Sequence, residues 1–339
     1  MSERIFFLSP DSNATIGGVK QLYRQVDVLG KYGIDAKILH RRKGFKITWF
    51  AHNTPTISWS EFKFRDNDIL VLPEIYGPQM AKTLRVDKKK TFFSNSDFWE
   101  EELPPIRKVI FNQNAYNTFA RTGFDPTDLN TPYLDPTVVA TIVVSEDSKE
   151  YVQSIFPDIT IHRIRNAINA KLFSFESKKK KQICFMPRKH REEAQEVINI
   201  AKIHGALKGY NIRLIENVTE TETAKIMKES LLFLSFGYPE GFSLPPAEAM
   251  ATGCIVIGYH GGGGKEYFLP EHSFPIEAAD IRGYVKTLES VLRSYSNDPQ
   301  PFNTMRVAAS QFITNEYSFQ NEEADICSAW SAILGRAIS

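Results

Sequence analysis

Two carboxylates dominate the chemistry this chain could do. Glu240 and Glu248 stand with seven residues between them in EGFSLPPAEAMATG, residues 240–253. Pro245 and Pro246 suit the first turn of a helix, where no amide hydrogen is required, so Glu248 falls about one turn inside that helix. Gly241, Phe242, Ser243 and Leu244 then present backbone amides at a helix N-terminus, a natural place for an anion. From there Glu248 could accept hydrogen bonds from a diol, and Glu240 could meet a polar group at the loop mouth. A short apolar run leads on to Gly261, Gly262, Gly263 and Gly264 and a third acid, Glu266. The basic residues Arg188, Lys189 and Arg191 lie in MPRKHR, just after another apolar run.

These groups need a scaffold to bring them together. A chain of 339 residues is long for one core and comfortable for two. Apolar runs at 5–10, 34–40, 68–74, 108–114 and 140–146 read as buried strands. Val19, Leu22, Tyr23, Val26 and Leu29 recur at helical spacing, predicting a helix over 19–32 stopped by Gly33. The second half repeats the grammar, with strands at 182–187, 212–218, 231–236 and 254–259. Helices are expected at 192–207, 219–230, 245–252, 280–295 and 318–334. Such alternation builds a parallel sheet with helices on both faces. The expected architecture is therefore α/β, with two doubly wound Rossmann-like domains facing a central cleft. SFESKKKK, residues 174–181, is polar and charged and reads as a solvated hinge between them. Ligands of such sheets bind beyond the carboxyl ends of the strands.

Composition removes several classes. The formal net charge is +1, so no whole-protein field draws the chain to nucleic acid, and no basic stripe suggests a duplex partner. Cys184, Cys254 and Cys327 are far apart, which suggests reduced thiols and no metal-ligand spacing. The apolar part of MSERIFFLSP is too short for a signal peptide, and no run approaches the ~20 residues of a membrane span. A cytoplasmic location is the expectation. Residues 41–64 mix Arg41, Arg42, Lys43 and Lys46 with Phe45, Trp49, Phe50, Trp59, Phe62 and Phe64. This suits peripheral contact with the inner membrane face or a polyisoprenoid-linked acceptor; aromatics buried by the first domain are the alternative. A nicotinamide dehydrogenase fits poorly, because no GxGxxG follows the first strand. Asp66-Asn67-Asp68 is a DxD of the metal-diphosphate kind, but it precedes its strand, where acids serve as turn and cap residues.

A hexose, a diphosphate and a ribose would meet these groups in order. The stretch closely resembles the E-x7-E segment of retaining family 4 glycosyltransferases of GT-B fold, with Ser243 replacing the motif's second glycine. Gly262-Gly263-Gly264-Lys265-Glu266 is similar to that family's GGxxE loop. Residues 140–175, with Ser145 and Asn166, look like the end of its first domain. The resemblance implies a first domain over 1–174, a nucleotide-sugar domain over 182–315, and a last segment, 316–339, that packs back on the first domain. It implies that Glu240 contacts the donor hexose, Glu248 holds the ribose, and the loop amides hold sugar hydroxyls and the distal phosphate. Arg188 and Lys189 would bind the diphosphate, although the family's lysine falls five or six residues after the arginine, where this chain has Glu193 and Ala194. Gly17 and Gly18 match the glycine loop that opens the first helix, and the resemblance implies that they contact the donor. Gln113 and Asn114 stand where many members carry a histidine and, with Glu74, are the acceptor-side candidates. Glu216 and Asn217 lie near the nucleobase position, in a second domain that looks trimmed.

The implied activity is retaining transfer of a hexose from a nucleotide-diphosphate sugar, UDP-glucose by family habit. The acceptor would be a glycan or lipid-linked sugar in polysaccharide or glycoconjugate synthesis. No metal and no cofactor are expected. The alternative is a non-catalytic nucleotide-sugar-binding protein of the same fold.

Overall fold

The computed structural model describes residues 3–14, 16–77, 80–87, 98–119 and 131–338. Its contacts divide the chain into two α/β units. Unit 1 comprises Met1–Val144, Ser148–Ile164 and Glu323–Ser339; unit 2 comprises Ser145–Asp147 and Arg165–Glu322. The main crossing thus falls between Ile164 and Arg165, upstream of residue 174.

Unit 1 begins with β1 (Arg4–Leu8), α1 (Gly17–Lys31), β2 (Asp35–His40), β3 (Thr56–Ser58) and β4 (Ile69–Pro73). It continues with β5 (Thr83–Asp87), β6 (Phe98–Glu102), β7 (Arg107–Asn112), β8 (Val138–Val143), α2 (Glu146–Ile155) and β9 (Ile161–Arg163). Seven of these strands form a parallel sheet in the order β3-β2-β1-β4-β7-β8-β9, while β5 and β6 pair antiparallel by themselves. Every residue of β4 is buried, as a central parallel strand covered on both faces requires. On α1, Val19, Leu22, Tyr23, Val26 and Leu29 are buried, matching their spacing, and Gly33 takes φ +74° just past the helix. Asp68, the last residue of the DxD, is buried and paired with Arg4 of β1: Arg4 Nε donates to Oδ1 at 2.8 Å and Nη2 to Oδ2 at 2.7 Å. It also accepts the Arg65 amide at 2.8 Å, so this acid serves the turn before β4.

Unit 2 contains β10 (Lys180–Phe185), α3 (Arg191–Ile203), β11 (Asn211–Leu214), α4 (Glu220–Glu229), β12 (Ser230–Ser235), α5 (Leu244–Ala251) and β13 (Ile255–Tyr259). β14 (Phe274–Ile276), α6 (Ile281–Asn297), α7 (Gln300–Glu316) and α8 (Phe319–Leu334) follow. The parallel sheet runs β11-β10-β12-β13-β14. Thr219 caps α4, its hydroxyl accepting the Glu222 amide at 3.2 Å. α8 changes units at Glu323. Beyond that point Trp330 lies 5.7 Å, ring to ring, from Phe7, and its indole N–H donates to Gln25 at 3.1 Å.

Three expectations need correction. The lysine run is not solvated throughout. Lys180 opens β10 and pairs with Glu229 at 2.8 Å. Lys179 turns inward and donates to the Thr252 carbonyl at 2.8 Å and the Met227 carbonyl at 3.1 Å, at the C-terminal ends of α5 and α4. Thr252 O also accepts the Glu176 amide at 3.1 Å and Met227 O the Ser230 amide, so the ammonium adds a charged donor at the negative poles of two helices. Second, α7 does not stand out in the sequence, because its apolar stripe is weak and prolines crowd its start. Packing decides it: Arg306, on its buried face, donates to the carbonyls of Gly253 at 2.5 Å and Glu176 at 3.0 Å. Third, part of the aromatic stretch is core. Phe62 is buried against Phe6 at 4.2 Å, and Trp59 and Phe64 pack onto it at 6.4 and 4.3 Å.

Candidate functional site

In an open parallel sheet, ligands settle where successive connections leave in opposite directions. Unit 2 reverses between β10 and β12, because β11 lies on one side of β10 and β12 on the other. Unit 1 reverses between β1 and β4 for the same reason. The loops after those four strands carry most of the candidate residues.

In unit 2 the loop after β10 brings Arg188 and Lys189 to Glu240, which lies in the loop after β12. Lys189 Nζ stands 2.9 Å from Glu240 Oε1, and Arg188 Nη2 stands 3.3 Å from the same oxygen. The Glu240 side chain is 17% exposed, whereas Arg188 is 71% exposed. Lys189 also donates to the Pro239 carbonyl at 2.5 Å, so it clamps one loop onto the other. This shows what the glycine run does. The Glu240 amide donates to Gly261 O at 2.7 Å, and the Gly263 amide donates to Glu240 O at 3.0 Å. A Cβ on Gly261 would sit 2.9 Å from Gly237 O and 3.0 Å from Glu240 Cβ; one on Gly263 would overlap the Gly241 carbonyl. Only bare backbone fits, and so the glycines fix where the Glu240 carboxylate sits. His260 supports them: its Nδ1 accepts the Gly262 amide at 3.0 Å, and burial lowers its pKa, favouring the neutral ring that can accept.

Ser243 is the N-cap of α5 at φ +66°, ψ +72°, the left-handed region that makes glycine the easier residue at this position. Buried Tyr267 holds it there, its hydroxyl donating to Ser243 O at 2.5 Å and to Phe242 O at 3.1 Å. Two prolines in the first turn of α5 lack amide hydrogens, so its N-terminus presents fewer donors than a helix end of ordinary composition. Glu248 is half-buried one turn in. Glu266 accepts the Tyr317 hydroxyl and the Glu146 amide, each at 2.8 Å. Glu216 is ion-paired with Arg191, and Asn217 beside it has φ +55°.

The roles of His190 in this loop and of Glu193 on α3 escape a sequence reading. His190, at φ +50°, places Nε2 2.7 Å from Tyr238 O and Nδ1 2.9 Å from Glu193 Oε1. Glu193 also accepts the Tyr259 hydroxyl at 2.6 Å. Glu193, where the resembling family has a cation, therefore braces the loop that carries Arg188 and Lys189. The only hint in the sequence is the i,i+3 spacing of His190 and Glu193.

Unit 1 gathers the other candidates. Gly17 opens α1, and Gln113 lies against the next residue: Gln113 Nε2 donates to Gly18 O at 3.1 Å, while a Cβ on Gly18 would meet Gln113 Oε1 at 2.8 Å. Glu74 follows β4 directly, is 5% exposed, and accepts the Gln113 amide at 3.1 Å. Burial pushes its pKa up to about 7. Asn114 turns its side chain to the Tyr116 amide at 3.2 Å, capping the turn of residues 115–117. Sequence reasoning also missed Asn112, buried and donating to Tyr133 at 2.7 Å and Thr118 at 3.1 Å. Among the described residues no helix is long and apolar enough to cross a membrane.

Comparison with known proteins follows this geometry. Residues 191–304 match the family described as Glycosyl transferases group 1. An alpha-1,6-glucosyltransferase of Actinobacillus pleuropneumoniae is 27% identical over 241 residues, covering 70% of this chain and 66% of that protein. The matched region thus spans just under two thirds of that curated relative. Among solved structures, Anabaena Alr3699/HepE in complex with UDP superposes with a TM-score of 0.66 at 12% identity, over 98% of this chain and all of that one. A sucrose-phosphate synthase from Thermosynechococcus elongatus gives a TM-score of 0.64 at 11% identity, over 99% of this chain and 100% of that one. The chain accordingly has the two parallel-sheet units of the GT-B fold, and its match to glycosyl transferases group 1 lies on the unit that holds Glu240 and Glu248.

Proposed function

We propose that this chain is a retaining glycosyltransferase that moves a hexose from a nucleotide-diphosphate sugar to a glycan or lipid-linked acceptor. The observation that carries the reading is the convergence of Arg188, Lys189 and Glu240 beside the start of α5, on the unit matched to glycosyl transferases group 1. UDP-glucose is the donor we favour. The similar Anabaena protein has structures in complex with UDP and with UDP-glucose, and the Actinobacillus relative is an alpha-1,6-glucosyltransferase.

In this reading the glycosidic bond of the donor breaks as negative charge gathers on the leaving diphosphate. Arg188 swings from Glu240 to that charge, joined by Lys189 and the α5 amides; donors of this kind are each worth about 3–4 kcal/mol of barrier. Since these groups neutralise the diphosphate, we assign no metal to the step. Glu240, released from part of its ion pair, takes hydroxyls of the hexose, and Glu248 takes the ribose diol. The acceptor hydroxyl attacks the face that the diphosphate leaves, and a leaving phosphate oxygen takes its proton, which preserves configuration. Glu216 and Asn217 lie toward the base. Gly17 and Gly18 belong with the donor-binding residues, and Gln113, Asn114 and Glu74 with the acceptor side.

The test is Glu240→Gln, with UDP-glucose transfer and UDP calorimetry measured in parallel. Transfer falls at least ~100-fold while UDP binds within about threefold of the parent. Full activity in this variant overturns the role. A parent that binds UDP-glucose but neither transfers nor hydrolyses it is a binding protein instead. Glu248→Ala should weaken UDP by roughly tenfold or more, the loss of hydrogen bonds to a charged acceptor; unchanged calorimetry removes its ribose role.

A further inference from the structure

Glu74 is a carboxyl in an expensive place. It lies at the carboxyl end of β4, in the reversal crevice of unit 1 beside the loop that follows β1. It is almost fully buried, and among the described residues no cation is paired with it. Its neighbours are hydrogen-bond donors instead: the amides of Gln113 and Asn114, its own amide, and the Asn117 side chain. Tyr133, on the turn of residues 132–134, is a titratable group that feels its charge. A buried glutamine or methionine would cost less, so packing alone gives no reason for an acid here.

The bonding points outward from Glu74 in one direction. Its Oε2 fixes the Gln113 amide at 3.1 Å, and Gln113 then spans to the Gly18 carbonyl at 3.1 Å. Gly18 leaves room for that amide group because it has no Cβ. On the other side Asn112, Tyr133 and Thr118 lock the base of the same turn. One carboxyl thus sets the position of both loops that edge the crevice of unit 1. We propose that Glu74 is a positioning residue for the acceptor side of the transfer site, holding the Gln113–Asn114 turn and, through Gln113, the Gly17–Gly18 loop. This rests on the glycosyltransferase reading for its function but not for its geometry. The ionised carboxylate accepts amide hydrogens more strongly than the neutral acid. With a pKa pushed up to about 7 by burial, Glu74 changes between these forms across the physiological range, and its grip tightens as pH rises.

The experiment uses the full chain, the isosteric Glu74→Gln and the truncated Glu74→Ala. Hydrogen–deuterium exchange is read first, because it needs no acceptor. Glu74→Ala speeds exchange at least ~10-fold in peptides covering Gly17–Lys20 and Gln113–Asn117 and leaves those covering Arg188–Arg191 unchanged. Unchanged exchange at the first two segments overturns the proposal whether or not the protein is an enzyme. Transfer from UDP-glucose to a p-nitrophenyl glucoside probe is read second. Glu74→Ala raises acceptor KM at least ~10-fold with UDP affinity within twofold, and Glu74→Gln recovers most of that loss. In the parent, acceptor KM falls between pH 6 and pH 8; in Glu74→Gln it is flat. Equal loss of UDP affinity, or a Glu74→Gln pH profile like the parent's, overturns the positioning role. Glu240→Gln and Glu248→Ala report separately on the glycosyltransferase reading, so the two can fail independently.

Discussion

Lys179→Met asks whether a charge in a lysine-rich run holds a domain together. The parent ammonium makes two bonds, to Thr252 O at 2.8 Å and Met227 O at 3.1 Å, and these cap α5 and α4. Bonds from a charged donor contribute roughly 1.5–3 kcal/mol each. Burial opposes this, lowering the ammonium pKa from its ordinary value, so part of that gain is lost to desolvation. Methionine keeps the stem and removes the charged donor from both carbonyls, which keep the Glu176 and Ser230 amides, for a net cost of about 2–4 kcal/mol. In a unit of this size each kcal/mol moves the melting midpoint by roughly 2–4 °C. The transition of unit 2 should therefore fall by about 5–15 °C in differential scanning calorimetry. Lys181→Met is the control. It changes an exposed lysine of the same run and should stay within about 0.5 kcal/mol of the parent. If Lys179→Met melts no lower than Lys181→Met, the run is a solvated face after all and the capping argument is wrong. The stakes reach the site, because α5 carries Glu248 and its far end is held by Lys179, by Arg306 through Gly253 O and by Ser310 through Ala251 O at 2.6 Å.

Two further outcomes follow from the same geometry. Gly263→Ala forces a Cβ into the Gly241 carbonyl, so it should cost about 1–3 kcal/mol and weaken UDP binding by displacing the Glu240 loop. Gly30→Ala, on α1 with open space around it, should be neutral or stabilising by up to about 1 kcal/mol; equal effects of the two on melting would refute the close-packing account. For Glu74 the sign is fixed by a folded-state pKa of about 7 against an ordinary 4.5. The native state binds more protons than the unfolded chain between those values, so stability falls as pH rises from about 4.5 to about 7 and then levels. The full difference is about 3.5 kcal/mol, about 1.4 kcal/mol for each unit of pKa. Glu74→Gln should remove that slope from urea-midpoint measurements, and a slope equal to the parent's would place the titration elsewhere.

Local patterns in the chain settled a good deal. Buried runs such as Ile69–Pro73 and the spacing of Val19, Leu22, Tyr23, Val26 and Leu29 encode strands and a helix because period and burial are properties of contiguous residues. Glu240, the glycines after β13 and the prolines of α5 were legible for a similar reason: each constrains backbone within a few residues. Contacts between distant segments were not legible. Whether Lys179 faces solvent or two helix ends depends on α4 and α5 arriving from residues 227 and 252. The role of Glu193 depends on His190 and Tyr259, and that of Glu266 on Tyr317 and Glu146. That Glu74 is a poised acid follows from burial beside Gln113, a neighbour 39 positions away. Sequence thus determined which backbone could form and which side chains could react. Tertiary structure alone decided which charges lost their water and found partners, because desolvation and pairing depend on what surrounds a group in space.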